Sequence, residues 1–325
     1  MRTTMINRHN RKSVALVLLG TWFLFFMISC SGARNSQRDA FGEKEYRRLM
    51  EKQRALAAAE EEVLKKSSDM TAEGYERLGD SYLQQGNLYM AFLQYDKALR
   101  LDRNQAGIHY KMGRLFLEKG LGKDAKREFQ EVLRISPNHA LAYEGMGSAS
   151  FKMGEYEEAE KNLKQALQID TSLWQAHHLL GIIYDRQQQF DAAIFQYKKA
   201  IVLKPNVGMV FNNLGMSFLL KGDYGEAVKS FTEALKLETS NSKIHNNLAL
   251  ALCRLGRYPE ALEVFKKGGE EASAYNNLGY LYMTEGKYKE AIEAFERALE
   301  IKPGFYLKAY ENLRKAKAVY LTPSQ

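Results

Sequence analysis

Cysteine, proline and tryptophan are scarce in this chain of 325 residues, at two, five and two copies. The two cysteines, Cys30 and Cys253, are too few for a disulfide framework, and neither has a second Cys or a His at zinc-ligand spacing. So few prolines exclude an extended proline-rich architecture and leave long stretches free to be helical. The six histidines, His9, His109, His139, His177, His178 and His245, form no ligand spacing with each other or with a carboxylate pair, so neither a metal nor another cofactor is expected. Gly120-Leu121-Gly122-Lys123 is not a phosphate loop, because Leu117 and Asp124 stand where a glycine and a hydroxyl residue are required. With no nucleophile, base or acid pair in a recognisable arrangement, the chain reads as a non-enzyme. Neither sign of charge dominates. The formal balance of +8 includes Arg2, Arg8, Arg11 and Lys12, and falls to +4 without residues 1–29, too mild for a nucleic-acid partner.

The one long apolar run is Val14–Ile28. It follows a basic stretch without acidic residues and precedes Ser29 and Cys30, the layout of a secretory signal over residues 1–29. It is short for a span, since crossing a hydrocarbon core takes about 20 residues. Met27-Ile28-Ser29-Cys30 resembles the lipobox of bacterial lipoproteins, with Met27 where leucine is usual. That resemblance implies lipid attachment at Cys30, a membrane held through the N-terminal lipid, and, with Ser31 following, the outer membrane facing the periplasm. Residues 30–42 are polar and aperiodic, as in a flexible tether; residues 43–70 are rich in Glu, Lys, Arg, Ala and Leu and predict a charged helix. That helix is expected to cover the first repeat or act as a spacer, with a short coiled coil as the sharper alternative.

The rest is periodic. In Ala272–Gly304, Tyr275, Leu278, Gly279 and Tyr282 form one helical stripe, Ala291, Phe295 and Ala298 form another, Gly286 marks the turn between them and Pro303 the stop. Laid backwards, the same register gives units starting at Ala72, Ala106, Ala140, Trp174, Gly208 and Ser242. The sixth is four residues short, its second helix giving way to Lys267-Gly268-Gly269-Glu270, which predicts a shorter helix and a local change of pitch. Position by position this matches the tetratricopeptide repeat (TPR) over residues 72–305. The resemblance implies an all-α fold, a right-handed superhelix of about seven helix-turn-helix repeats, with residues 306–325 as capping helix and tail. Lys308, Glu311, Arg314, Lys315 and Lys317 suit a solvent-facing cap.

A stacked array presents one extended face made of its first helices. In units five to seven these contain Asn212-Asn213, Asn246-Asn247 and Asn276-Asn277. By TPR resemblance Asn213, Asn247 and Asn277 face a groove, where primary amides can both donate to and accept from an extended peptide. Met209, Met216, Leu219, Leu250, Tyr280 and Met283 would add adaptable apolar contact. The competing reading is that these asparagines only satisfy neighbouring helices. Arg77, Lys111, Gly145 and Leu179 stand at the same position in the first four units, which confines any ladder to the C-terminal half. His109, His177 and His245 share a position where an aromatic ring normally packs, and are expected to be structural.

The shortened sixth unit followed by SAYNNLGYLYMTEGKYKEAIEAFERALEIKPGFYLKAYENLRKA resembles TadD-type lipoproteins of tight-adherence (Flp) pilus assembly and, less specifically, type IV pilus pilotins. The resemblance implies a membrane-anchored scaffold whose groove holds a protein or extended peptide of a pilus or secretin complex. A periplasmic scaffold or regulator of cell-wall enzymes is the alternative.

Overall fold

The computed structural model describes residues 47, 48, 51, 70–303 and 307–321. The signal segment, Cys30, the tether and nearly all of the expected helix over 43–70 lie outside the described residues. Among the described residues there are fifteen α-helices of eleven residues or more and no strand. They belong to two compact units, Met1–Pro137 and Asn138–Gln325.

The first unit contains α1 (Ala72–Gln84), α2 (Leu88–Leu101), α3 (Ala106–Glu118) and α4 (Gly122–Ile135). The second contains α5 (Ala140–Met153), α6 (Tyr156–Ile169), α7 (Trp174–Arg186), α8 (Phe190–Leu203), α9 (Gly208–Lys221), α10 (Tyr224–Leu237), α11 (Ser242–Arg254), α12 (Tyr258–Gly268), α13 (Glu271–Thr284), α14 (Tyr288–Ile301) and α15 (Leu307–Tyr320). Each odd-numbered helix up to α13 packs on the even-numbered one after it. The chain is an α-solenoid of helical hairpins.

Two residue types make the hairpin. A large side chain of the second helix, Tyr95, Phe129, Tyr197, Phe231 or Phe295, is at most 1% exposed. Its seat is a glycine of the first helix: a Cβ on Gly215 would lie 2.6 Å from the Phe231 ring, and one on Gly181 2.5 Å from that of Tyr197. Burying such a side chain is worth roughly 2–3 kcal/mol; the third hairpin uses Leu163 on Gly147 instead, and the sixth has Ala249 in place of the glycine. The connecting turn needs one left-handed residue. Glycine supplies it at 86, 120, 154, 222, 256 and 286, while Gln188 takes the same conformation at φ 60° in the fourth hairpin, at a cost of roughly 1–2 kcal/mol.

The shortening of the sixth second helix is present. α12 has 11 residues, whereas α8, α10 and α14 have 14 each. The last helix, α15, buries Ala309, Asn312 and Ala316. Its Lys308, Glu311, Arg314 and Lys315 are exposed, as a cap requires, but so are Leu307, Tyr310, Val319, Tyr320 and Leu321, so its outer surface is more apolar than the pattern of charges predicts. Asn312 sets the register of α15 on α13 through a hydrogen bond to Asn276. In that register Arg314 occupies the place of Gly279, where no second helix could approach closely.

Candidate functional site: the first-helix face of the C-terminal unit

In the C-terminal unit consecutive first helices touch directly, α5 with α7, α7 with α9, α9 with α11 and α13 with α15. Polar side chains bridge these contacts at a fixed spacing. Asn213 donates from Nδ2 to Nε2 of His178 at 3.0 Å, 35 residues away. Asn247 donates to Oδ1 of Asn212 at 2.9 Å, again 35 residues away, and Asn312 to Oδ1 of Asn276 at 3.0 Å across 36. Asn212 Nδ2 lies 3.4 Å from Asn213 Oδ1, which joins two rungs into one chain of amides directed toward His178. The N-terminal unit uses the same spacing with charges, Lys111 donating to Glu76 at 2.7 Å and to Asp80 at 2.8 Å.

The three expected peptide-facing asparagines therefore differ. Asn213 and Asn247 are half-buried and each commits an amide N–H to the preceding repeat. Asn277 is half-buried too, and across the shortened repeat its opposite number is Asn246, only 31 residues away. Neither amide makes a hydrogen bond among the described residues. Among the described residues this is the one junction where two asparagines stand at the rung position and do not pair. Leu250, Tyr280 and Met283 are half-buried on the same two helices, Met209 is 49% exposed, Met216 is half-buried, and Leu219 is 6% exposed and belongs to the core rather than to a groove surface.

The histidines are occupied structurally. His109 Nδ1 meets Glu128 at 2.7 Å, and this bond holds its pKa above the usual value. His177 meets Gln196 at 2.7 Å, and His245 lies 3.1 Å from the Asn241 carbonyl. His178, outside that shared position, is the least expected: burial pushes its pKa down to about 4, so it is neutral and Nε2 accepts from Asn213, since an amide nitrogen can only donate. Two turns on, Asp185 is pushed up to about 6 by burial, while hydrogen bonds from Tyr197 at 2.9 Å and Ser217 at 2.7 Å oppose the shift. Nothing in the sequence marks this Asp185 cluster, because its three members come from three different helices. Cys253 is 1% exposed, with its thiol pushed up to about 12 by burial; it packs as a small apolar residue and is not a reactive thiol. Among the described residues no group of three or more His, Cys, Asp or Glu could hold a metal ion.

This arrangement is suited to binding. It offers a rigid row of first helices, amides paired in register except at one junction, and half-buried apolar side chains beside that junction.

Comparison with known proteins agrees on the architecture. The crystal structure of a tetratricopeptide repeat protein from Parabacteroides merdae superposes with a TM-score of 0.51 at 16% identity, covering 75% of this chain and 98% of that one, which shows the fold. A crystal structure of MamA aligns at 31% identity over 53% of this chain and 94% of that one, with a TM-score of 0.46. YrrB, described as a TPR protein with an unusual peptide-binding site, aligns at 22% identity over 57% of this chain and 97% of that one, with a TM-score of 0.48. No curated protein matches the chain at a significant level. The family model of the tetratricopeptide repeat matches residues 272–305, and that of the cilia and flagella-associated protein 70 C-terminal domain matches residues 33–276. With well over half of its length matched by that second model, the chain belongs to the TPR family described as the cilia and flagella-associated protein 70 C-terminal domain.

Proposed function

We propose that the protein is a non-catalytic scaffold that binds an extended segment of a protein partner across α11 and α13, while lipidated Cys30 holds it at the outer membrane, facing the periplasm, in the service of pilus or secretin assembly. The open rung carries this reading. Asn246 and Asn277 present two half-buried amides with donors and acceptors unspent, which matches the alternating N–H and C=O of an extended backbone. Leu250, Tyr280 and Met283 beside them supply adaptable apolar contact. The anchor rests on the lipobox resemblance at Met27–Cys30, and the assembly role on the shortened sixth unit and the TadD-like stretch of residues 273–316.

Crosslinking and capture from membranes tests the whole reading. Secretin or pilus-assembly components should be recovered with the native chain, and lost with Asn246→Ala/Asn277→Ala and with Cys30→Ala. Equal recovery with the double asparagine variant would remove the open rung from the function. Recovery of peptidoglycan enzymes instead would make the chain a cell-wall scaffold.

A further inference from the structure

A second feature lies between second helices, away from the open rung. A cleft of about 460 Å³ opens between α10, α11 and α12, with Val228, Thr232, Leu248, Leu252, Val264 and Lys267 among its walls. That volume falls within the range of small binding pockets, about 300–1,000 Å³.

The two preceding repeats show why it is open. At the equivalent place Lys164 lies over the Tyr184 ring at 5.8 Å, and Lys198 lies over the Phe218 ring at 5.6 Å. In each case a long stem covers an aromatic floor. Twenty residues separate the two members each time, and the next pair in that register is Thr232 and Leu252. Thr232 is too short to reach across, and its hydroxyl is engaged with the Val228 carbonyl of its own helix at 2.8 Å. Leu252 lacks the ring. Both the lid and part of the floor are missing, and Val228, Leu248, Leu252 and Val264 leave an apolar hollow.

The rim decides what fits. Arg257 is paired with Glu260 at 2.6 Å and Glu263 with Lys266 at 3.3 Å. Lys267 makes no ion pair among the described residues and is exposed. The cleft thus combines an unfilled apolar floor with one uncompensated cation. We infer that it is a docking site for a protein segment that inserts a bulky apolar side chain where the neighbouring repeats keep their own lysine and ring, and sets a carboxylate against Lys267.

Methyl NMR on the full chain tests this with a blocked tetrapeptide, acetyl-Gly-Phe-Asp-Gly-amide. Saturable shifts are expected at Val228, Leu248 and Val264, and not at Met209 or Met283. Thr232→Lys/Leu252→Phe recreates the closed arrangement of the preceding repeat; it should weaken binding tenfold or more while the melting temperature holds, and Thr232→Lys alone gives the same reading if the ring does not fit. Lys267→Glu should weaken this peptide and favour the one with Lys in place of Asp. Unchanged binding by the closed variant, or shifts confined to the first-helix face, would overturn the inference. So would shifts at the cleft methyls that grow with protein concentration in the absence of peptide, which would place a second copy there, or nuclear Overhauser contacts to the chain's own N-terminal residues. Because the amides of Asn246 and Asn277 take no part, failure here leaves the proposed function standing, and the reverse.

Discussion

The junction of α9 with α11 and that of α11 with α13 carry the same asparagine pair, yet only the first closes it. Asn212 and Asn247, 35 residues apart, are bonded at 2.9 Å; Asn246 and Asn277, 31 apart, are not bonded. Between the second pair lies α12, three residues shorter than α10. At about 1.5 Å of rise per residue, the path from one first helix to the next changes by roughly 4–5 Å, more than a hydrogen bond tolerates. Identical residues are structural glue on one side and available ligand groups on the other. Spacing, and not composition, separates the two roles.

The largest effect should come from the closed side, where a half-buried carboxylate and a buried imidazole titrate in opposite senses. Asp185 is raised from 3.8 to about 6, so it favours the fold at low pH, and that contribution is lost as pH climbs through 6. His178 is lowered from 6.5 to about 4, so its contribution is present above pH 6.5 and is lost as pH falls through 4. Each shift corresponds to on the order of 3 kcal/mol, and in the native chain the two nearly cancel. Asp185→Asn should therefore leave stability rising by about that amount from pH 4 to 6.5, and His178→Asn should leave it falling; urea melts at both pH values read the difference. Flat profiles in both variants would mean that neither group is buried as described.

A smaller effect tests spacing itself. Inserting Ala-Leu-Lys-Leu after Lys267 restores the length of the neighbouring repeats and should close the Asn246–Asn277 rung. Binding that depends on those amides should then fall about tenfold, or about 1.4 kcal/mol, and the side-chain amide signals of Asn277 should become protected from exchange. Undiminished binding would show that the amides are not the contact.

The smallest effect separates the two classes of asparagine. Asn213→Ala removes a rung and leaves His178 without its donor, so it should cost about 1 kcal/mol in thermal or urea melts. Asn277→Ala should stay within about 0.5 kcal/mol of the native chain, because it breaks nothing within the fold. Equal losses would erase the distinction drawn between them.

The hairpins were legible because their register is written in a small residue facing a large one, with only Ala249 and Leu163 departing from glycine and ring. Gly215 and Gly279 sit where a methyl group would strike a ring, and Phe231 and Phe295 stand a fixed distance on in the chain. The missing four residues after Lys267 were equally plain. The pairing of the asparagines was not: whether Asn213 meets a peptide or His178 depends on the offset between two helices, which no single repeat contains. Asp185 was hidden for the same reason, its burial being the work of Tyr197 and Ser217 on other helices. The cleft beside Lys267 is visible only as a difference among three repeats, in the replacement of a lysine and a ring by Thr232 and Leu252.

Arg314 has a consequence for how such a chain can lengthen. Repeat proteins grow by tandem duplication, and a duplicated hairpin brings its own seat, as Gly215 does for Phe231 and Gly279 for Phe295. Copies of such hairpins arising before α15 therefore need nothing from it. A copy of α14 placed after α15 would meet a guanidinium where its phenylalanine needs a hydrogen atom. The array can therefore lengthen by whole hairpins inserted before α15, and not by a second helix added to α15 itself.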